Sequence, residues 1–252
     1  MVFPLGDTVR TRTVPIVTYA LIAVNVVVYL VQLNHELRGD RTFTTAFAAT
    51  PFEITNDEDI AQPFVLHTSG DDVEIDQGPV PFPVWLTLLT AMFLHGSPMH
   101  LAGNMLYLWI FGDNVEEVLG GVRYLIVYLC CGLAASLAQI MANPESYIPT
   151  LGASGAIAGI MGAYLVWFPY NGVRVLLFRV ITEVPAIVVI GLWIGIQIWQ
   201  GIGSVGHLGE VGGVAYMAHI GGAAAGVAVG LLFQDRARRL GQPPWFAENI
   251  VG

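Results

Sequence analysis

The sequence predicts an all-α membrane protein, a bundle of six transmembrane helices, and three observations carry that expectation. Only 12% of its 252 residues are charged while 55% are hydrophobic, about half the charge that a soluble domain carries. The mean hydropathy is +0.65. The apolar residues also gather in blocks of roughly 20, the length a helix needs to cross a hydrocarbon core of about 30 Å. The 29 glycines and 14 prolines fit the same picture, because membrane helices pack through small residues and tolerate helix breakers. Together these features exclude a disordered chain and an ordinary soluble globule, and one domain over residues 1–252 is the economical reading.

In chain order the apolar blocks fall near residues 14–33, 84–111, 122–141, 151–168, 180–199 and 214–233. The first is long for a signal-peptide core and has no small-residue cleavage site after it, so a retained span is expected. The second is compound: residues 85–94 are amphipathic enough to lie at the interface, a break falls at 95–98, and the span begins near Met99. Cys130 and Cys131 are neighbours inside an apolar run, a spacing that suits packing rather than a disulfide framework or a metal site.

Orientation follows from arginine, since cytoplasmic flanks collect positive charge. The sequence has no lysine. With the N-terminus inside, Arg10, Arg12, Arg123, Arg174, Arg179, Arg236, Arg238 and Arg239 are cytoplasmic and only Arg38 and Arg41 lie outside. Both termini are therefore expected in the cytoplasm of a multi-pass cell-membrane protein. Residues 34–83, which hold most of the acidic side chains, become a long, solvated extracytoplasmic loop.

Ionisable and polar residues within spans are costly and mark function. They are His100 and Asn104 in the second span, Ser136 and Gln139 in the third, Ser154 in the fourth, Glu183 and Gln197 in the fifth, and His219 in the sixth. His100 and Asn104 are one helical turn apart and share a face. Ser154 follows a polar, Pro-containing loop and is expected at a helix start, where free N–H groups favour negative charge. His219 shares a face with Gly222, Ala223 and Gly226, and Ser154 precedes a matching stripe of Gly155, Ala158, Gly159 and Gly162. Two small-residue faces let backbones approach closely, which a Ser–His hydrogen bond between helices requires. On the deduced topology all four side chains occupy the outer half of the membrane. Ser136 and Gln139 read as polar glue between helices, and Glu183 and Gln197 as interfacial or packing residues.

The segment His95-Gly96-Ser97-Pro98-Met99-His100-Leu101-Ala102-Gly103-Asn104-Met105, with Gly152-Ala153-Ser154-Gly155 and Ala218-His219 followed by Gly222 and Gly226, resembles the motifs of the rhomboid family of intramembrane serine proteases. The similarity runs from about Trp85 to Gly230. It implies Ser154 as nucleophile, His219 as general base in a dyad without aspartate, and His100 and Asn104, with the Ser154 backbone N–H, as oxyanion-stabilising groups. Gly112, Val115, Glu116 and Gly120 are similar to a further family stretch whose Glu has a structural role. Two departures stand out. Where the family often has a Trp-Arg pair, this chain has Leu86 and Thr87 with Trp85 one residue early. Where some members stack an aromatic on the histidine, it has Ala158, so another group must hold the imidazole.

The resemblance implies an intramembrane serine endopeptidase that cleaves transmembrane segments of single-span membrane proteins in the bilayer, using no cofactor, no metal and no nucleic acid partner. The alternative is a catalytically inactive relative that binds and escorts membrane proteins. A transporter would show internal repeats with broken helices, and none is evident. A polar cavity open to the outer face is expected, roofed by the glycine-rich residues 201–213, with that loop and the fifth span acting as a gate.

Overall fold

The computed structural model describes residues 2–9, 11–67, 72–204 and 215–239, and all of their side chains except those of residues 2, 3, 66, 67, 73, 203 and 204. The chain starts with strand β1 (Val2–Asp7) and helix α1 (Ile16–Leu37), followed by two short helices, α2 (Thr42–Phe47) and α3 (Pro51–Asn56), and a hairpin of β2 (Phe64–His67) and β3 (Asp72–Ile75). A 3-10 turn (Val84–Leu86), the short α4 (Thr87–Thr90) and a second turn (Ala91–Phe93) lead into α5 (Pro98–Leu119), α6 (Gly121–Ala142) and α7 (Ser154–Trp167). A second hairpin, β4 (Gly172–Leu177) and β5 (Val180–Pro185), precedes α8 (Ala186–Ser204), α9 (Tyr216–Leu232) and α10 (Gln234–Arg239).

The architecture is predominantly helical, with α7 at its centre. Every residue from Gly155 to Tyr164 is buried. Around it the bundle is inverted relative to a water-soluble protein. Val27, Leu30, Ile126 and Trp199 face outward, while Asn25, Gln32, Gln197 and His219 are buried. Hydrocarbon welcomes such an exterior and water does not. Among the described residues, α1 and α6 are the two helices long and apolar enough to cross a membrane by length and composition alone.

Glycine sets the closest packing. A Cβ on Gly222 would fall on the carbonyl oxygen of Gly155, and one on Gly226 on that of Gly159, so α7 and α9 meet backbone to backbone. At the other side of the bundle, the buried carboxylate of Glu116 accepts hydrogen bonds from the backbone N–H of Val17 (3.0 Å) and Thr18 (2.8 Å) and from the Thr18 hydroxyl (2.8 Å). Donors left free in the first turn of α1 are thereby satisfied from α5. Strand β1 joins β4 and β5 in an antiparallel sheet of order β1-β4-β5. Asp7 at its end accepts from Asn114 Nδ2 and from the Tyr164 hydroxyl, each at 2.8 Å.

Three expectations change. The chain is not wholly helical, because it carries two small sheets. The block at 180–199 is not one span: residues 180–185 form a strand paired with β4, with Glu183 opposite Arg174, and the helix begins only at Ala186. Residues 34–83 are not merely a solvated loop. Ala49 and Thr150 exchange backbone hydrogen bonds at 2.9 Å, Phe52 stacks on Tyr147 with ring centroids 4.3 Å apart, and the fully buried Glu53 accepts from Ile60 N and Gln77 Nε2, both at 3.0 Å. Burial raises the Glu53 carboxyl above the usual carboxylate range, while these donors oppose the rise. The folded segment thus braces the loop that leads to Ser154.

Candidate active site

The site is assembled from the starts of three helices. Ser97 is extended and its hydroxyl accepts the His100 N–H at 3.1 Å, with Pro98 in the first turn of α5, a serine cap followed by a residue that needs no amide partner. This fixes the first turn of α5 and hence His100, with Asn104 one turn below. Gly152 takes φ +124°, and a Cβ there would lie 2.9 Å from His100 Cε1, so glycine is required both by conformation and by space. Its N–H donates to the Ala91 carbonyl at 2.8 Å. Two residues later Ser154 opens α7, where unpaired backbone N–H groups gather.

Ser154 Oγ lies 2.7 Å from His219 Nε2. The other imidazole nitrogen, Nδ1, lies 2.7 Å from Oε1 of Gln197, and the Trp193 ring sits against the imidazole with centroids 5.3 Å apart, tilted by 39°. Ser154, His219, His100 and Asn104 line one cavity of about 780 Å³, together with Trp193 and Gln197. Asn104 Nδ2 is buried with no hydrogen-bond acceptor among the described residues. An unpaired buried donor is costly, and here it borders the cavity beside His100. Helices α7, α8 and α9 contain no Asp, Glu, Lys or Arg, so no carboxylate from them supports the imidazole.

All four residues singled out from the sequence therefore meet in one place. Gln139 also lines the cavity and its Oε1 accepts the Ala218 N–H at 3.3 Å, holding the start of α9. Ser136 borders a small adjoining recess. Glu183 is exposed on β5 and belongs to a separate pocket with Asp7, Asp113 and Arg174. Gln197, expected as an interfacial or packing residue, is buried and its Oε1 contacts the imidazole directly. Trp193 went unnoticed, although its spacing of four from Gln197 places both on one helix face. Both lie beside the imidazole, where this chain has Ala158 in place of an aromatic residue. The roof expected at residues 201–213 falls largely on 205–213, outside the described residues.

A family model described as Rhomboid domain matches residues 83–236, more than half the chain. Among curated relatives, the Rhomboid protease GluP of Bacillus subtilis is 32% identical over 199 residues, covering 77% of this chain and 36% of the relative. Rhomboid protein 1, mitochondrial, of Saccharomyces cerevisiae is 31% identical over 164 residues, covering 62% and 45% respectively. The Putative rhomboid protease YdcA of Bacillus subtilis is 36% identical over 81 residues, covering 32% and 40%. The chain thus spans between a third and a half of the length of these relatives. With a matching domain over most of its helices and relatives named as proteases of the same kind, the chain belongs to the rhomboid family.

Proposed function

We propose that the protein is an intramembrane serine endopeptidase that hydrolyses a peptide bond in or beside the transmembrane segment of a membrane protein. The observation that carries this reading is the 2.7 Å contact between Ser154 Oγ and His219 Nε2, in a cavity that also holds the orphan donor Asn104 Nδ2. Ser154 Oγ attacks the carbonyl carbon while its proton passes to His219 Nε2. Asn104, His100 and the Ser154 N–H donate to the resulting oxyanion. The C–N bond then breaks, His219 protonates the departing amine, and an acyl-enzyme remains. Water, deprotonated by His219, releases the acid and restores the serine.

Six spans, α1 and α5 to α9, form the membrane domain in this proposal, with both termini in the cytoplasm on the arginine distribution and residues 34–83 outside. At 1.5 Å per residue, the 14 residues of α7 reach about 21 Å, short of the roughly 30 Å of hydrocarbon. Ser154 at its first position consequently lies below the membrane surface, within reach of a substrate helix and of water from the cavity mouth. Single-span proteins are the proposed substrates, entering along the lipid-facing flank at α8.

The test uses purified protein in detergent with a fluorophosphonate probe and a single-span substrate. Wild type is expected to be labelled and to cleave, and Ser154→Ala to do neither. Cleavage by Ser154→Ala at the wild-type rate refutes the assignment. Wild type that binds such substrates yet is neither labelled nor cleaves points to the escort reading.

A further inference from the structure

Gln197 is buried, yet on the same stretch of α8 Gly195, Ile196, Ile198, Trp199 and Gln200 are exposed. Of the two glutamines on this stretch only Gln197 turns inward, and it makes one contact of note, its Oε1 to His219 Nδ1 at 2.7 Å. We propose that Gln197 is a positioning residue that sets the tautomer and ring orientation of His219, making a neutral Ser154-His219-Gln197 relay of the dyad. This rests on the hydrolase reading of the site.

An amide oxygen can only accept, so a 2.7 Å contact at Oε1 places the imidazole proton on Nδ1. Nε2 is then left with its lone pair, directed at Ser154 Oγ 2.7 Å away, which is the form a general base must have. The opposite tautomer would donate from Nε2 to the serine and could not take its proton. Among the described residues of α6 to α9 no charged group competes for this role: α7 and α8 carry none, α9 carries only His219 among ionisable side chains other than Tyr216, and α6 has Arg123 in its first turn. His100 is the other imidazole lining the cavity. Trp193, one turn before Gln197, limits ring rotation from the side. An amide suits a buried site of this kind, because it orients the ring without placing an unpaired negative charge at membrane depth.

Two substitutions separate hydrogen bonding from packing. Gln197→Met keeps length and volume but removes the acceptor, and Gln197→Glu retains acceptor oxygens. Orienting partners of metal-bound histidines are worth about 10–100-fold, so Gln197→Met is expected to lower kcat by that amount with KM within about twofold, and Gln197→Glu to retain kcat within about fivefold of wild type. Wild-type kcat in Gln197→Met overturns the proposal, as does a Gln197→Glu protein as slow as Gln197→Met. Should either variant fail to fold, nitrogen NMR of the wild type decides: His219, assigned by the signal lost in His219→Gln, is expected to be protonated at Nδ1 and bare at Nε2 near neutral pH. Protonation at Nε2 overturns the proposal. If wild type neither cleaves nor reacts with fluorophosphonate, the hydrolase reading fails, and the tautomer still tests what Gln197 does to the ring. If wild type is active and Gln197→Met matches it, positioning fails alone.

Discussion

Replacing Gly226 by alanine tests whether the spacing of Ser154 and His219 is set by helix backbones. The new Cβ would fall on the Gly159 carbonyl, 2.5 Å from its carbon and 2.7 Å from Gly159 Cα. Non-bonded carbons rest at about 3.5–4.0 Å, so α9 has to lift from α7 by about 1.0–1.5 Å. Carried along the helix to His219, a shift of that size takes the 2.7 Å contact with Ser154 to about 3.7–4.2 Å, outside the 2.6–3.2 Å or so that proton transfer needs. General-base catalysis contributes about 10²–10⁴-fold, and most of it should vanish. The assay is the rate of fluorophosphonate labelling and substrate cleavage, normalised to folded protein, with Gly191→Ala as control because a Cβ there meets nothing within 4 Å. Folded Gly226→Ala that labels and cleaves at the wild-type rate would show that the two helices do not fix the dyad.

Two further outcomes follow from other parts of the structure. Removing the unpaired donor in Asn104→Ala should lower kcat about 10²–10³-fold, the usual loss for one oxyanion donor, with little change in KM, and steady-state kinetics showing a loss confined to KM would contradict that role. Burial raises the Asp7 carboxyl from 3.8 to about 6, against the lowering effects of the Tyr164 hydroxyl, backbone donors and Arg174. Since the folded state then holds the proton more tightly than the unfolded chain, stability from this group is present below about pH 4 and is lost as pH rises through about 6. Thermal melts across pH 4–7 should fall less steeply with pH in Asp7→Asn than in wild type, and identical slopes would remove Asp7 from that balance.

Much of the site was legible because its parts are local. A serine and proline at 97–98 announce the start of α5, a turn of helix ties His100 to Asn104, and matched stripes of small residues betray two helices in close contact. The misreadings share a cause in non-local pairing. Residues 180–185 are rich in β-branched side chains (Val180, Ile181, Thr182 and Val184), and hydropathy cannot tell a strand of that composition from the beginning of a span. Strand β1 escaped notice because its partner β4 is some 170 positions away in sequence. The acidic segment looked solvated because what folds it, the bridge from Ala49 to Thr150 and the stack of Phe52 on Tyr147, joins stretches about a hundred residues apart. Gln197 was set aside for a related reason. Its spacing shows that it shares a face with Trp193 but not that this face meets His219.

The glycine seam between α7 and α9 also divides the molecule for an engineer. Gly155, Gly159, Gly222 and Gly226 admit no side chain, so a mutagenesis library that randomises them would consist largely of dead clones. The outward residues of α1, α6 and α8 bear no such restriction beyond staying oily, and they are where diversity can be introduced to refit this scaffold to bilayers of other thickness or composition while the reacting pair stays in register.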